Sequence, residues 1–256
     1  MSDTDVLRAR IDELLDAEGI TVNRTLVRRI LATGVELGRD GTERLDLKIT
    51  AAAVEEMRTA FRLFAPWDGA SKVTVFGSAR TKEHDPLYAQ AEQVAASLAR
   101  LGWMVVTGAG PGIMQAAAEG AGPELSIGVS IRLPFEEKPS AMVEADPNRV
   151  TMKYFFTRKL MLMKESRGFV SLPGGFGTLD ETFEVLTLRQ TGKIRAFPVV
   201  LVGTGYWNGL LDWLEQPVRA EGKIDDSDVA RIVCTDDLDE VLEIVEAAKH
   251  RRPRAA

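Results

Sequence analysis

The chain has 256 residues and a formal charge of −6, with 45% of its residues apolar and 27% charged. That length accommodates one α/β domain plus an appendage, and the balance of apolar and charged residues excludes a disordered chain. Net negative charge argues against a nucleic-acid polymer as partner, yet a few backbone amides and one or two Arg can hold a small phosphorylated ligand inside an acidic protein.

Cysteine and histidine usage narrows the chemistry. Cys234 stands alone, which excludes an intramolecular disulfide framework and fits a reducing compartment. His84 and His250 are the only histidines, so there is no zinc motif and no metal is assigned. The N-terminal stretch MSDTDVLRARIDELLDAEG alternates charge with Leu and Ile and has no apolar core of a secretory signal. No window nears the ~18 apolar residues of a membrane span, so a cytoplasmic protein with no membrane partner is expected.

In chain order, apolar residues at i, i+3, i+4 spacing predict helices at 6–18, 23–36 and 45–64. Residues 1–68 read as a helical N-terminal extension that ends at the breaker cluster Ala65-Pro66-Trp67-Asp68-Gly69-Ala70. From there the pattern alternates. Strands are predicted at 72–78, 103–107, 127–131, 168–172, 197–202 and 231–234. Helices are predicted between and after them at 86–101, 112–121, 152–165, 178–191, 206–220 and 238–250. Short apolar strands alternating with helices imply an α/β domain over 69–250, a doubly wound and mostly parallel sheet, followed by a basic tail at 251–256.

In such a sheet ligands bind beyond the carboxyl ends of the strands, and three of those loops are rich in glycine. They are Gly77-Ser78-Ala79-Arg80, Gly108-Ala109-Gly110-Pro111-Gly112 and Pro173-Gly174-Gly175-Phe176-Gly177-Thr178. The second is no dinucleotide fingerprint, because Ile113 stands where a third glycine is needed; it reads equally as a tight turn with Pro111 at the first helical position or as backing for a ligand. The third, continued to Glu181, offers bare amides and the Thr178 hydroxyl to a phosphate. Thr178-x-x-Glu181 is equally the spacing of a helix capping box, the reading that spacing alone favours. On the preceding predicted helix Arg158 lies among aromatic and apolar residues. There a cation either finds an anion or snorkels to solvent, the second being the commoner fate. Met161, Leu162 and Met163 read as core.

Taken together, FGSAR at 76–80, TGAGPGIMQAAAEGA at 107–121, Arg158-Lys159 and PGGFGTLDE at 173–181 closely resemble the LONELY GUY family of cytokinin-riboside monophosphate phosphoribohydrolases and their bacterial relatives labelled lysine decarboxylase-like. The likeness spans roughly residues 72–245 and implies a Rossmann-like fold and a nucleoside 5′-monophosphate substrate. It implies Arg158 and Glu181 as catalytic pair, with Gly174, Gly175, Gly177 and Thr178 holding the phosphate. Gly77, Ser78, Gly110 and Lys159 are taken as further substrate or phosphate contacts, with Arg80 in the same second tier, and Glu136, in the loop LPFEEKPS beyond the third strand, is placed to face the ribose. The sequence departs from the plant-like pattern MHxRKxxM at Phe155, Phe156 and Leu162. The family implies a homodimer or higher homo-oligomer, to which an apolar face of Phe155, Phe156, Met161 and Met163 would contribute.

The reaction so implied frees the base and ribose 5-phosphate from AMP or a cytokinin riboside monophosphate. An oxocarbenium-like ribose would be stabilised by Glu181, which would also align or deprotonate water. Arg158 would hold the phosphate or ribose, or assist the departing base. No cofactor is expected, since pyridoxal phosphate chemistry needs a Schiff-base Lys and a pyridinium partner that no segment announces. The alternative is a non-catalytic carrier of a phosphorylated cofactor or nucleotide, which would need the glycine loop but not the carboxylate. A third reading is a regulatory protein that senses nucleotides through its N-terminal helices.

Overall fold

The computed structural model describes residues 3–133, 146–195 and 197–249, so Glu136, His250 and the basic tail lie outside the described residues. The chain divides into two compact units at Glu55/Glu56, inside the third helix. In the smaller unit α1 (Asp3–Ala17) packs on α2 (Arg24–Arg39) through Leu7, Ile11 and Leu15 against Val27 and Leu31. Arg24 and Arg28 reach back across this pair, to Asp16 and Asp12, each at 2.6 Å. The third helix, α3 (Arg44–Phe64), carries the chain into the larger unit.

Seven strands form one sheet among the described residues: β1 (Lys72–Phe76), β2 (Met104–Thr107), β3 (Ser126–Ile131), β4 (Arg149–Met152), β5 (Gly168–Ser171), β6 (Val199–Val202) and β7 (Ile232–Thr235). Their order is β4-β3-β2-β1-β5-β6-β7 and every pairing is parallel. Parallel neighbours require crossovers, and the helices that make them cover both faces, which is why the strands are mostly apolar. Alternation along each strand sorts the core. Val73, Val75, Val105, Val170 and Val200 pack under α4 (Pro86–Arg100), α5 (Ile113–Ala121) and α10 (Leu238–Lys249). Phe76, Met104, Val106, Phe169 and Leu201 pack on the other face under the end of α3, α6 (Phe155–Lys164), α7 (Phe176–Gln190) and α8 (Thr204–Trp213). Each such buried side chain contributes roughly 1.5–3 kcal/mol over its exposed state.

Three local expectations are corrected. Residues 149–152 are a strand, β4, so the helix predicted from Met152 begins instead at Phe155. Pro111 lies before α5, whose N-cap is Gly112 at φ +69°, a left-handed setting that suits glycine. The helix predicted over 206–220 starts at Thr204 and, at Leu214–Arg219 around Pro217, widens into a π-helical turn. A short α9 (Asp226–Val229), closed by its own Asp225/Asp228 capping box, precedes β7. Among the described residues no helix is long and apolar enough to cross a membrane.

Candidate active site

Strand order reverses between β1 and β5, because the chain runs outward from β1 to β4 and then returns to β1's other side. The crevice at such a reversal is where open α/β sheets bind ligands. Ser78 joins the loops that meet there. Its N–H donates to Pro173 O (3.1 Å), its carbonyl accepts from Ile113 N–H (3.0 Å), and its Oγ accepts from Arg80 N–H (3.0 Å). Gly77 and Gly174 are required by close approach: a Cβ on the first would strike the Ile113 side chain, and one on the second would strike Thr178 Oγ1. Beside Gly175 and Gly177 there is open space.

The capping-box expectation fails here. Helix α7 starts at Phe176 with Gly175 as N-cap, so Thr178 is already inside the first turn and buried, and no side chain caps the helix. Its first amides are therefore left to a ligand or water. Glu181 turns instead toward Arg158, whose Nη1 lies 3.3 Å from Glu181 Oε1, both side chains being nearly buried. The snorkelling expectation for Arg158 is thereby overturned. Its Nε donates to Val129 O (2.9 Å) and its Nη2 to Gly108 O (3.3 Å), so α6, β3 and the loop after β2 all fix the guanidinium. Gly108 has no room for a side chain because that guanidinium occupies the place of a Cβ.

Burial pushes the Glu181 carboxyl up to about 7, against the downward pull of Arg158; Asp180 and Glu184 add to the rise and Lys159 opposes it. Burial also lowers the Arg158 guanidinium, with Glu181 holding it up. A carboxyl poised near neutrality is suited to exchange a proton with water or to offer a negative charge on demand. Lys159 does not join the glycine loops. Its ammonium bonds to Asp180 (2.8 Å) and Glu184 (2.9 Å), clamping α6 to α7. Gly110 sits in the loop after β2, packed against Met114.

Two features escaped the sequence reading. Ala109 holds φ at +53°, costly for a residue with a side chain, with its N–H bonded to Thr107 Oγ1 (3.1 Å). Tyr206, at the start of α8, donates its hydroxyl to Gly174 O (2.5 Å). The Tyr206 contact has no local signature, since it joins loops that only the sheet brings together. A separate groove of ≈ 1420 Å³ runs along α6 and α7, lined by Phe155, Phe156, Leu160, Met163 and Phe183. It is not the crevice, although Lys159 and Asp180 border it.

The fold is a doubly wound α/β sheet with a crevice at its switch point. The chain belongs to the LONELY GUY family: residues 112–245 match the family model described as "Possible lysine decarboxylase". A cytokinin riboside 5'-monophosphate phosphoribohydrolase of Mycobacterium marinum is 31% identical over 164 residues, 62% of this chain and 86% of that protein. The protein of the same name from Mycobacterium tuberculosis is 31% identical over 169 residues, 64% of this chain and 88% of its own length. The molybdenum cofactor carrier protein of Chlamydomonas reinhardtii shares the fold at a TM-score of 0.50, with 19% identity over 70% of this chain and 98% of that one.

Proposed function

We propose that this chain hydrolyses the N-glycosidic bond of a nucleoside 5′-monophosphate, AMP or a cytokinin riboside monophosphate, releasing free base and ribose 5-phosphate. The observation that carries this reading is the buried Arg158–Glu181 pair at the edge of the glycine loops. As the bond to the base lengthens, positive charge grows on the ribose, and an ionised Glu181 stabilises it and orients the attacking water. Of Arg158's five N–H donors, three are engaged by Val129, Gly108 and Glu181 among the described residues, which leaves two for a phosphate or ribose oxygen. The phosphate would rest on the amides at Gly175 and Gly177 and the uncapped start of α7, beside Thr178, with Ser78 and Gly77 shaping the opposite wall. Lys159 would serve by holding Asp180 and Glu184, the carboxylates that flank Glu181.

A carrier needs the glycine loops but has no use for a carboxylate buried against an Arg, which favours the hydrolase. We place the protein in the cytoplasm as a homo-oligomer whose second copy covers a face of Phe155, Phe156 and Leu160; Met161 and Met163, expected on that face, are buried in the core instead. The deciding assay incubates the protein with a panel of nucleoside monophosphates and the matching nucleosides. Free base and ribose 5-phosphate are expected from the monophosphates alone, and equal rates for adenosine and AMP would remove the phosphate grip from the mechanism.

A further inference from the structure

The helix that carries Arg158 begins without a cap of its own, since Tyr154 stands at the N-cap and gives no side-chain hydrogen bond. Glu56 of α3 serves instead the two amides that lead into it and the hydroxyl of Thr157 in its first turn. Oε1 of Glu56 accepts from Lys153 N–H (2.9 Å), and Oε2 accepts from the Thr157 hydroxyl (2.6 Å) and, at 3.4 Å, from Tyr154 N–H. A carboxylate there satisfies donors that the helix leaves unpaired and meets the positive end of its dipole. Thr157 is fully buried and is the neighbour of Arg158; its one hydroxyl hydrogen is shared between Glu56 Oε2 and Tyr154 O (2.8 Å), and Tyr154 O also accepts from Arg158 N–H (3.2 Å).

We propose that Glu56 is a positioning residue that fixes the first turn of α6 and so sets the Arg158 guanidinium against Glu181. The rest of the helix does not depend on it, because Met161, Leu162 and Met163 anchor α6 in the core by themselves. Loss of Glu56 therefore frays one turn, the turn that bears Arg158, and leaves the helix docked. The effect on turnover rests on the function proposed above; the effect on the Arg158–Glu181 pair does not.

The test follows the Glu181 carboxyl by carbon-13 NMR titration in wild type, Glu56→Ala and Glu56→Gln, with AMP turnover measured alongside. Arg158 and Lys159 on α6 and Asp180 and Glu184 on α7 are the charged groups that act on Glu181. With Arg158 released, the downward pull on Glu181 weakens. Its titration midpoint and the acid limb of kcat should both move to higher pH in Glu56→Ala, kcat falling about tenfold. Glu56→Gln, which keeps an acceptor oxygen, should recover part of both. Tyr88→Phe, which removes a hydrogen bond to Glu119 on the far side of the sheet, provides a stability control and should leave the Glu181 titration unchanged. Should Glu56→Ala not fold, Thr157→Val removes the same hydroxyl donor and is read in the same way. A Glu181 midpoint unchanged from wild type in the folded variant would reduce Glu56 to a helix cap. Wild-type protein inert toward every monophosphate would sink the functional reading alone, since the titration still decides the role of Glu56.

Discussion

A Glu181 carboxyl held at about 7 by burial keeps its proton over a range where the unfolded chain, titrating near 4.5, has already released it. Between those values the native state binds more protons than the unfolded state, so stability falls as pH rises, by at most about 1.4 kcal/mol per pH unit, and levels off above 7. Ionised Glu181 thus costs stability at the pH where its charge serves the reaction. Glu181→Gln should remove this slope, and thermal melts from pH 5 to 8 should show the variant at least as stable as wild type at pH 8. Its kcat at saturating AMP should drop by about a hundredfold or more, while wild-type kcat rises with pH through 7. Near-wild-type turnover in Glu181→Gln would move the protein to the carrier reading. Spacing and surroundings alone favour a helix cap for Glu181 and a snorkelling Arg158, and only the family resemblance names the two as a pair. Their contact has no local signal, because it links side chains on separate helices that the return of the chain to β5 brings together.

Among the elements, the glycine loops divide by what lies where a side chain would go. At Gly108 that place is filled by Arg158, whereas at Gly175 it is open. Gly108→Ala should therefore displace the guanidinium and lower kcat with some loss of Tm. Gly175→Ala should melt like wild type and raise KM for AMP, because its methyl enters the space assigned to phosphate. An unchanged KM in Gly175→Ala would put the phosphate elsewhere. The alternation of strand and helix was readable because parallel strands buried on both faces are apolar runs. β4 escaped because Arg149 and Thr151 interrupt its apolar run and Met152 reads as the start of the following helix. The capping-box reading failed for a related reason: Gly175 contributes only backbone at the N-cap, so the Thr-x-x-Glu spacing pointed to a start that lies inside the helix.

For the whole molecule, the exposed Phe155, Phe156 and Leu160 are half or nearly half accessible on one helix, more apolar surface than a single α/β unit has reason to leave in water. Light scattering should give a mass of two chains or a multiple. The paired substitution Phe155→Glu with Leu160→Glu should lower it toward one, and a wild-type mass of one chain at all concentrations would reject the assembly. The sheet order has another consequence. Phe76 and Ser171 are register partners on adjacent strands, yet three strands and their helices separate them along the chain. Closing that long loop should be slow relative to the local strand–helix–strand units within it, so the bond from Ser78 to Pro173 is expected to form late in folding, with the Ser78 amide the last of the sheet to gain protection in pulsed hydrogen exchange. On that order a ligand that fits only the finished crevice would bind last, and would stabilise the final closure rather than the β1–β4 units.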